Sequence, residues 1–468
     1  MSVPFVARDG HVLVVETGSY RVKAGVAETT GTVLSIPTLV GSRSHTTETR
    51  VANKHGGMAG HQQHQKDGDD GGVATANNNE DHSNDMDVDS QSNNTTVKRV
   101  VHTERFCGDL LDDELQRVNT LGPTQQLHIK SAIENGLVSD WGDLEALLAN
   151  MLARHFLIRR RNNTYPIMFV VPTRWSKLEW ERLAQMAFER LNVPGLYVTD
   201  QALMTTYGCN VQTALVINIG HDVTEVTPVV DNIVLRYASR TLSIGSYDID
   251  SYMAQLLQSD TNMVAQLSSK LGGEQVDWIQ LARTIKESNI CEVRSMPAEY
   301  SKKDLSVAPV EFEYKDVKIN VGFARTHAAD VLFDPKLVGK NEMSLPEAIV
   351  SAVAAAVEVE RRKSLWESLI LTGAGCLIKG MPKRMEQELA PFIAAADTAN
   401  ENQAKEVNFL KCPEFFVAYK ERPHDWSFLG TSVLSKYVFI DTRSYTSKVE
   451  YNEYGPSVIT SSTPRDNR

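Results

Sequence analysis

Leu215-Val216-Ile217-Asn218-Ile219-Gly220-His221-Asp222 is an apolar run that closes in a glycine turn. Val223 to Val230 follows directly and is its hairpin partner. The same device occurs twice more. His11 to Val15 runs into Glu16-Thr17-Gly18-Ser19 and is answered by Lys23-Ala24-Gly25-Val26-Ala27. Ser368-Leu369-Ile370-Leu371 ends at Thr372-Gly373-Ala374-Gly375. Turns of this kind gather backbone N–H groups into a small volume that suits an anion. Between them lie helical stretches at Leu144 to Leu157, Leu178 to Leu191 and Met381 to Leu389, and a buried-strand run at Pro166 to Val171. Strands that end in glycine turns beside helices build mixed α/β domains whose ligands sit at strand ends.

The chain has 468 residues, 42% of them hydrophobic, enough for two domains and an insertion. A net charge of −11 argues against nucleic-acid binding as the main activity. The basic run Arg159-Arg160-Arg161 reads as a solvated helix end. Five scattered cysteines with no CxxC pair read as reduced thiols of the cytosol or nucleus. In that setting the sequon at Asn162-Asn163-Thr164 is a chance match. No signal peptide is read at Met1 to Gly10, and Ile349 to Val359 is too short to span a bilayer. From about residue 43 to 99 the texture turns to His, Gln, Gly, Asn and Asp, and the expectation is a disordered surface insertion. Its histidines, His55, His61 and His64, lack fixed partners, so no metal site is assigned.

Taken in order, these pieces resemble the actin family. Val15 to Ser19 with Lys23-Ala24-Gly25 is similar to the first phosphate hairpin, and Ile217 to Thr224 to the second. Ile133 to Val138 with Trp141 and Leu144-Glu145 resembles the helix leading out of the outer subdomain. Val198 to Ala202 with Tyr207 resembles the hinge helix. Ile285-Lys286-Glu287 stands where the base and ribose are touched, and Leu371 to Gly375 in the adenosine loop. Lys448 to Ser457 is similar to the C-terminus. The resemblance implies an α/β actin-like fold, two lobes each with a mixed sheet flanked by helices around a central cleft. One lobe is expected to hold residues 1–42, 100–208 and 421–468, the other 209–420.

The nucleotide positions carried over are Glu16, Gly18, Ser19, Lys23, Gln201, Gly220, Lys286, Glu287 and Gly373. Several depart from the family pattern. Glu16 and Asn218 stand where the family has Asp, Tyr20 where it has a small residue, and His221-Asp222 where it has Asp-Gly. Glu225 replaces a histidine that orients the attacking water, and Ala374 replaces a glycine. Phosphoryl transfer needs a metal that neutralises charge and a positioned water. Asn218 is neutral, Tyr20 and His221 add bulk at the phosphate turns, and an ionised Glu225 repels phosphate. The expectation is a degraded cleft with no catalytic residue, no cofactor, and ATP binding at most weak.

Within the family the pattern looks closest to fungal nuclear subunits of SWI/SNF- and RSC-type chromatin remodellers. It does so on Val216 to Gly220 with Thr227 to Asp231, and on Trp426 to Gly430 with Ser435-Lys436. That resemblance implies a non-catalytic nuclear subunit, with a second actin-related protein and a helix of the remodeller motor subunit as partners. Neither membrane nor direct nucleic-acid binding is expected. The expected docking groove is lined by Tyr207, Val433, Leu434 and Tyr437. The alternative is a slow actin-like ATPase or a cytoskeletal actin-related protein.

Overall fold

The structure is a computed structural model that describes residues 12–28, 33–52, 95–121, 127–270, 275–294, 308–358, 362–394, 404 and 406–461. By contacts the chain divides into two units. One spans Met1–Thr38 and Ser131–Arg468, the other Leu39–Lys130.

The larger unit contains two sheets of one local plan. In the first, strand Leu13–Glu16 turns back antiparallel on Arg21–Val26 and lies parallel to Ile167–Val171 on its other side. Gly195–Asp200 extends the parallel part, and Leu34–Pro37 and Thr446–Ser447 close the edges. In the second, Ala214–Ile219 pairs antiparallel with Thr224–Val230 and parallel with Leu369–Thr372. The central strands are buried on both faces, which is why they read as continuous apolar runs rather than as an alternation. The core of the second sheet joins Ile217, Val226 and Leu371 to Ile249, Leu281 and Ile349 of the helices over it.

Register matters more than composition here. In the first hairpin Glu16 lies opposite Lys23, and in the second Asn218 lies opposite Glu225. Directly opposed residues on one face have neighbouring Cβ atoms, so each hairpin sets its two key polar side chains together.

The helix expected from Leu144 begins at Trp141 and ends at His155. Asp140 caps it, its carboxylate accepting from the Gly142 and Asp143 amides at 2.8 and 3.1 Å, a contact worth about 1 kcal/mol. The helix Gln201–Gly208 follows strand Gly195–Asp200 and crosses Trp426–Val438 at very close range. The crossing point is Gly430, where a Cβ would run into the Met204 carbonyl.

In the smaller unit, Leu39–Ala52 and Thr95–Cys107 form a long antiparallel hairpin with Val40 opposite Cys107 and Ala52 opposite Thr95. The expectation of disorder from 43 to 99 is therefore corrected at both ends. The β-branched series Thr46, Thr47, Thr49, Val51 and Thr95, Thr96, Val97 favours extended pairing. A reading based on burial capacity alone overlooks that preference. Residues 53–94, with His55, His61 and His64, lie outside the described residues. Helix Asp109–Leu121 packs in this unit through Leu111, and Glu114 pairs with Arg43. No helix among the described residues is long and apolar enough to cross a membrane.

Candidate functional site

The three glycine turns converge. Gly373, at φ +84°, is pressed against Asn218 and Ile219, so a side chain there would collide with both. The hairpin Ile133–Glu134/Leu137–Val138 joins the other two turns. Its Asn135-Gly136 link has φ of +50° and +71°, the two-residue turn that suits a tight hairpin. The Gly136 amide donates to Ser19 Oγ at 3.0 Å, and the Asn135 amide donates to Asp222 Oδ2 at 2.9 Å. Asp222, a departure from the family's glycine, thus fastens the second turn to this hairpin.

At the base of the cleft the polar side chains bind one another. Glu16 is buried, with one carboxylate oxygen accepting from Gln201 Nε2 and the other from Ser427 Oγ, both at 2.7 Å. Asn218 Nδ2 donates to Gln201 Oε1 at 3.0 Å. Ser427, Glu16, Gln201 and Asn218 therefore form one chain of hydrogen bonds. Lys23 Nζ lies 2.9 Å from Asp425 and 3.6 Å from Glu16 and donates to the His424 carbonyl. Burial alone would lower its pKa, but the two carboxylates outweigh burial and hold it above the usual lysine value. Burial likewise pushes Asp425 up, and Lys23, His424 and Arg422 overcome it, leaving the carboxyl below its ordinary value.

At the mouth, Tyr20 stacks on His221 with ring centroids 4.5 Å apart, and His221 meets Tyr247 edge-on at 5.7 Å. The Arg283 guanidinium sits 4.9 Å from the Tyr20 ring centre, donates to its hydroxyl at 3.3 Å and pairs with Asp250 at 3.3 Å. Burial lowers the His221 pKa, against the pull of Asp222. Lys286 is drawn behind the second turn, 2.5 Å from Asp250 and 2.6 Å from Ser246 Oγ. Glu287 is exposed at the end of the same helix.

Between Gln201, Asn218, Glu225 and Thr227 lies a cavity of about 10 Å³, room for a single water. Glu225 is buried, and its Oε1 has no hydrogen-bond partner among the described residues. Burial, only partly offset by Arg174, pushes its pKa to about 7. Asp200 behind it is raised by burial to about 6 despite its pair with Arg236 at 2.5 Å. Among the described residues there is no group of three or more His, Cys, Asp or Glu placed to hold a metal.

Glu16, Gln201 and Asn218 spend their polar atoms on one another and on Ser427. Their side chains are turned toward each other, and the stacked pair Tyr20–His221 bridges the first and second glycine turns. Glu16, Gly18, Ser19, Lys23, Gln201, Gly220 and Gly373 are brought together; Lys286 and Glu287 are not part of that cluster. Sequence reasoning missed Arg283, Asp425 and Ser427. Arg283 was within reach as the residue one turn before Lys286 on the same helix, whereas nothing local tied Asp425 or Ser427 to Glu16.

On the far side of the hinge helix, Tyr207, Val433 and Leu434 are partly buried against the cores beneath, while Tyr437 is 70% exposed. Ile440, two residues past the end of Trp426–Val438, is 69% exposed beside it. Ile440 was not foreseen because it lies beyond the helical repeat that linked Val433 to Tyr437.

The family model described as Actin matches residues 8–464. SWI/SNF and RSC complexes subunit arp9 of Schizosaccharomyces pombe is 25% identical over 539 aligned positions, covering 97% of this chain and 98% of that protein. Actin-related protein 2 of Saccharomyces cerevisiae is 25% identical over 361 residues, covering 76% and 86%. Actin-related protein 7 of Arabidopsis thaliana is 27% identical over 331 residues, covering 70% and 83%.

Proposed function

The chain belongs to the actin family, and from that premise we propose that it is a non-catalytic, architectural subunit of a nuclear chromatin-remodelling complex. In this reading the cleft holds the actin-like fold together by its own side chains, with no nucleotide and no hydrolysis. The two-lobed division at residues 208 and 421 belongs to the same proposal. The partners are a helix of the remodeller motor subunit and a second actin-related protein. The observation that carries the reading is the closed chain Ser427–Glu16–Gln201–Asn218, which occupies the groups that phosphoryl transfer would require. Similarity to arp9 along almost the whole of both chains supports the complex.

The motor-subunit helix docks beside Tyr437 and Ile440, an exposed aromatic and an exposed aliphatic side chain at the end of a rigid helix. Val433 and Leu434 support this face from below. The test is co-purification from native cells with Tyr437→Asp/Ile440→Asp. Both positions are exposed, so the variant should keep its helical circular dichroism and lose the motor subunit. A normally folded variant that still brings the motor subunit down removes this face as the docking site. A wild-type chain that brings down no remodeller motor overturns the reading itself.

The alternative, a slow actin-like ATPase, rests on the retained Gln201. It requires metal-dependent phosphate release that disappears in Gln201→Ala.

A further inference from the structure

The turn that follows helix Trp141–His155 has no part in the cleft or the groove. Arg154 and His155 complement the negative end of the helix, as basic residues in a last turn commonly do. Arg159 and Arg161 lie beyond the helix and receive no such explanation. Both are exposed, and among the described residues no carboxylate pairs with either of them or with Arg154. The sequence from Ala146 to Leu178 contains no Asp or Glu at all, in a chain that has 59 of them. No acidic neighbour along the chain is therefore at hand for these arginines.

The turn is built rather than loose. Asn163 Nδ2 donates to the Leu191 carbonyl at 3.0 Å from a buried position, and its Oδ1 accepts from the Tyr165 amide. Asn192 Nδ2 holds the Arg160 carbonyl at 2.7 Å, and the Arg160 guanidinium is tied to the Glu189 carbonyl at 2.8 Å. Arg160 is thus the anchor, and Arg159 and Arg161 on either side of it are exposed. In front of them Leu157 adopts φ +57°, a conformation that glycine or asparagine takes far more readily. Its apolar side chain is 82% exposed, in the same turn of chain as the arginines.

A phosphate backbone would call for the arginines alone. An exposed leucine in one turn with arginines that no carboxylate pairs among the described residues calls for acidic and apolar groups on one partner. We propose that Arg154, His155, Leu157, Arg159 and Arg161 form a docking surface for an acidic, leucine-bearing segment of a partner protein, separate from the groove beside Tyr437. The arginines steer and pair with the carboxylates, and Leu157 supplies the apolar contact that separates this partner from other polyanions.

The test uses the full chain and three labelled probes in fluorescence anisotropy: a peptide of Glu, Asp and Leu, the same peptide with each Leu replaced by Ser, and a short DNA duplex. The expected result is tightest binding to the leucine peptide. Arg159→Glu/Arg161→Glu should weaken it by about tenfold or more. Leu157→Ser should weaken the leucine peptide by several-fold and leave the serine peptide unchanged. Arg159→Gln/Arg161→Gln, read beside a melting curve, guards against misfolding of the reversal variant. Tighter binding of the duplex than of the leucine peptide overturns the proposal in favour of a phosphate contact. Unchanged peptide binding by a folded charge-reversal variant overturns it outright.

Discussion

Lys23→Met tests whether the cleft is a scaffold or a nucleotide site. In the scaffold, the ammonium is a structural counter-ion: 2.9 Å from Asp425, whose side chain is 2% exposed, and 3.6 Å from Glu16, whose side chain is 5% exposed. Methionine fills the volume but leaves Asp425 to Arg422 and His424, and leaves Glu16 to Gln201 and Ser427. Removing one partner of a buried pair costs about 3–5 kcal/mol, and the surviving Arg422 contact points to the lower end. In a chain of this size about 3 kcal/mol corresponds to roughly 3 °C of melting temperature. Lys23 is raised and Asp425 lowered. The stability from Asp425 is therefore lost only as pH falls through its lowered value, and that from Lys23 only as pH rises through its raised one. The deficit should accordingly be constant across the neutral range. The assay is thermal melting of both proteins with and without millimolar magnesium-ATP. A bound nucleotide at about a hundred times its Kd would stabilise the wild type by about 2.7 kcal/mol, a rise as large as the loss from the mutation. The expected outcome is a drop of several degrees in Lys23→Met and no rise with ATP in either protein. An unchanged melting temperature, or an ATP-dependent rise that Lys23→Met abolishes, would refute the argument and make Lys23 a phosphate ligand.

Two further outcomes follow from the same geometry. Glu225 titrates at about 7 in the fold against an ordinary 4.5, so the fold favours its protonated form. That stability is complete below the ordinary value and is lost as pH rises through about 7; Glu225→Gln should therefore be more stable than wild type at pH 8, by on the order of 3 kcal/mol, and nearly equal to it near pH 4.5. Urea melts at the two pH values read this directly, and a gain that is the same at both would show that the carboxyl does not titrate in this range. Gly430→Ala puts a methyl group against the Met204 carbonyl and must spread the two helices; a loss of at least about 3 kcal/mol together with weakened capture of the motor subunit is expected, and normal melting would show that the crossing is looser than described.

The sequence alone determined the strands, the three glycine turns and their order along the chain. These are local features, set by apolar runs of strand length and by residues that take unusual turns. It also identified Tyr20, Asn218, His221 and Glu225 as departures, because type and position are enough to see that a charge is missing or bulk has been added. Only the tertiary structure decided what those departures do. Tyr20 and His221 are far apart in sequence, and their rings meet because two hairpins bring their turns face to face. Lys23 could be expected at phosphate until Asp425, brought in by the last long helix, took up its charge. Strand propensity at 43–52 and 95–98 was present in the letters but hidden under a composition that suggested disorder. The physical distinction is one of range. Propensity and turn chemistry act over a few residues and can be read along the chain, whereas charge pairing and ring stacking act through space between segments that only the finished fold brings together.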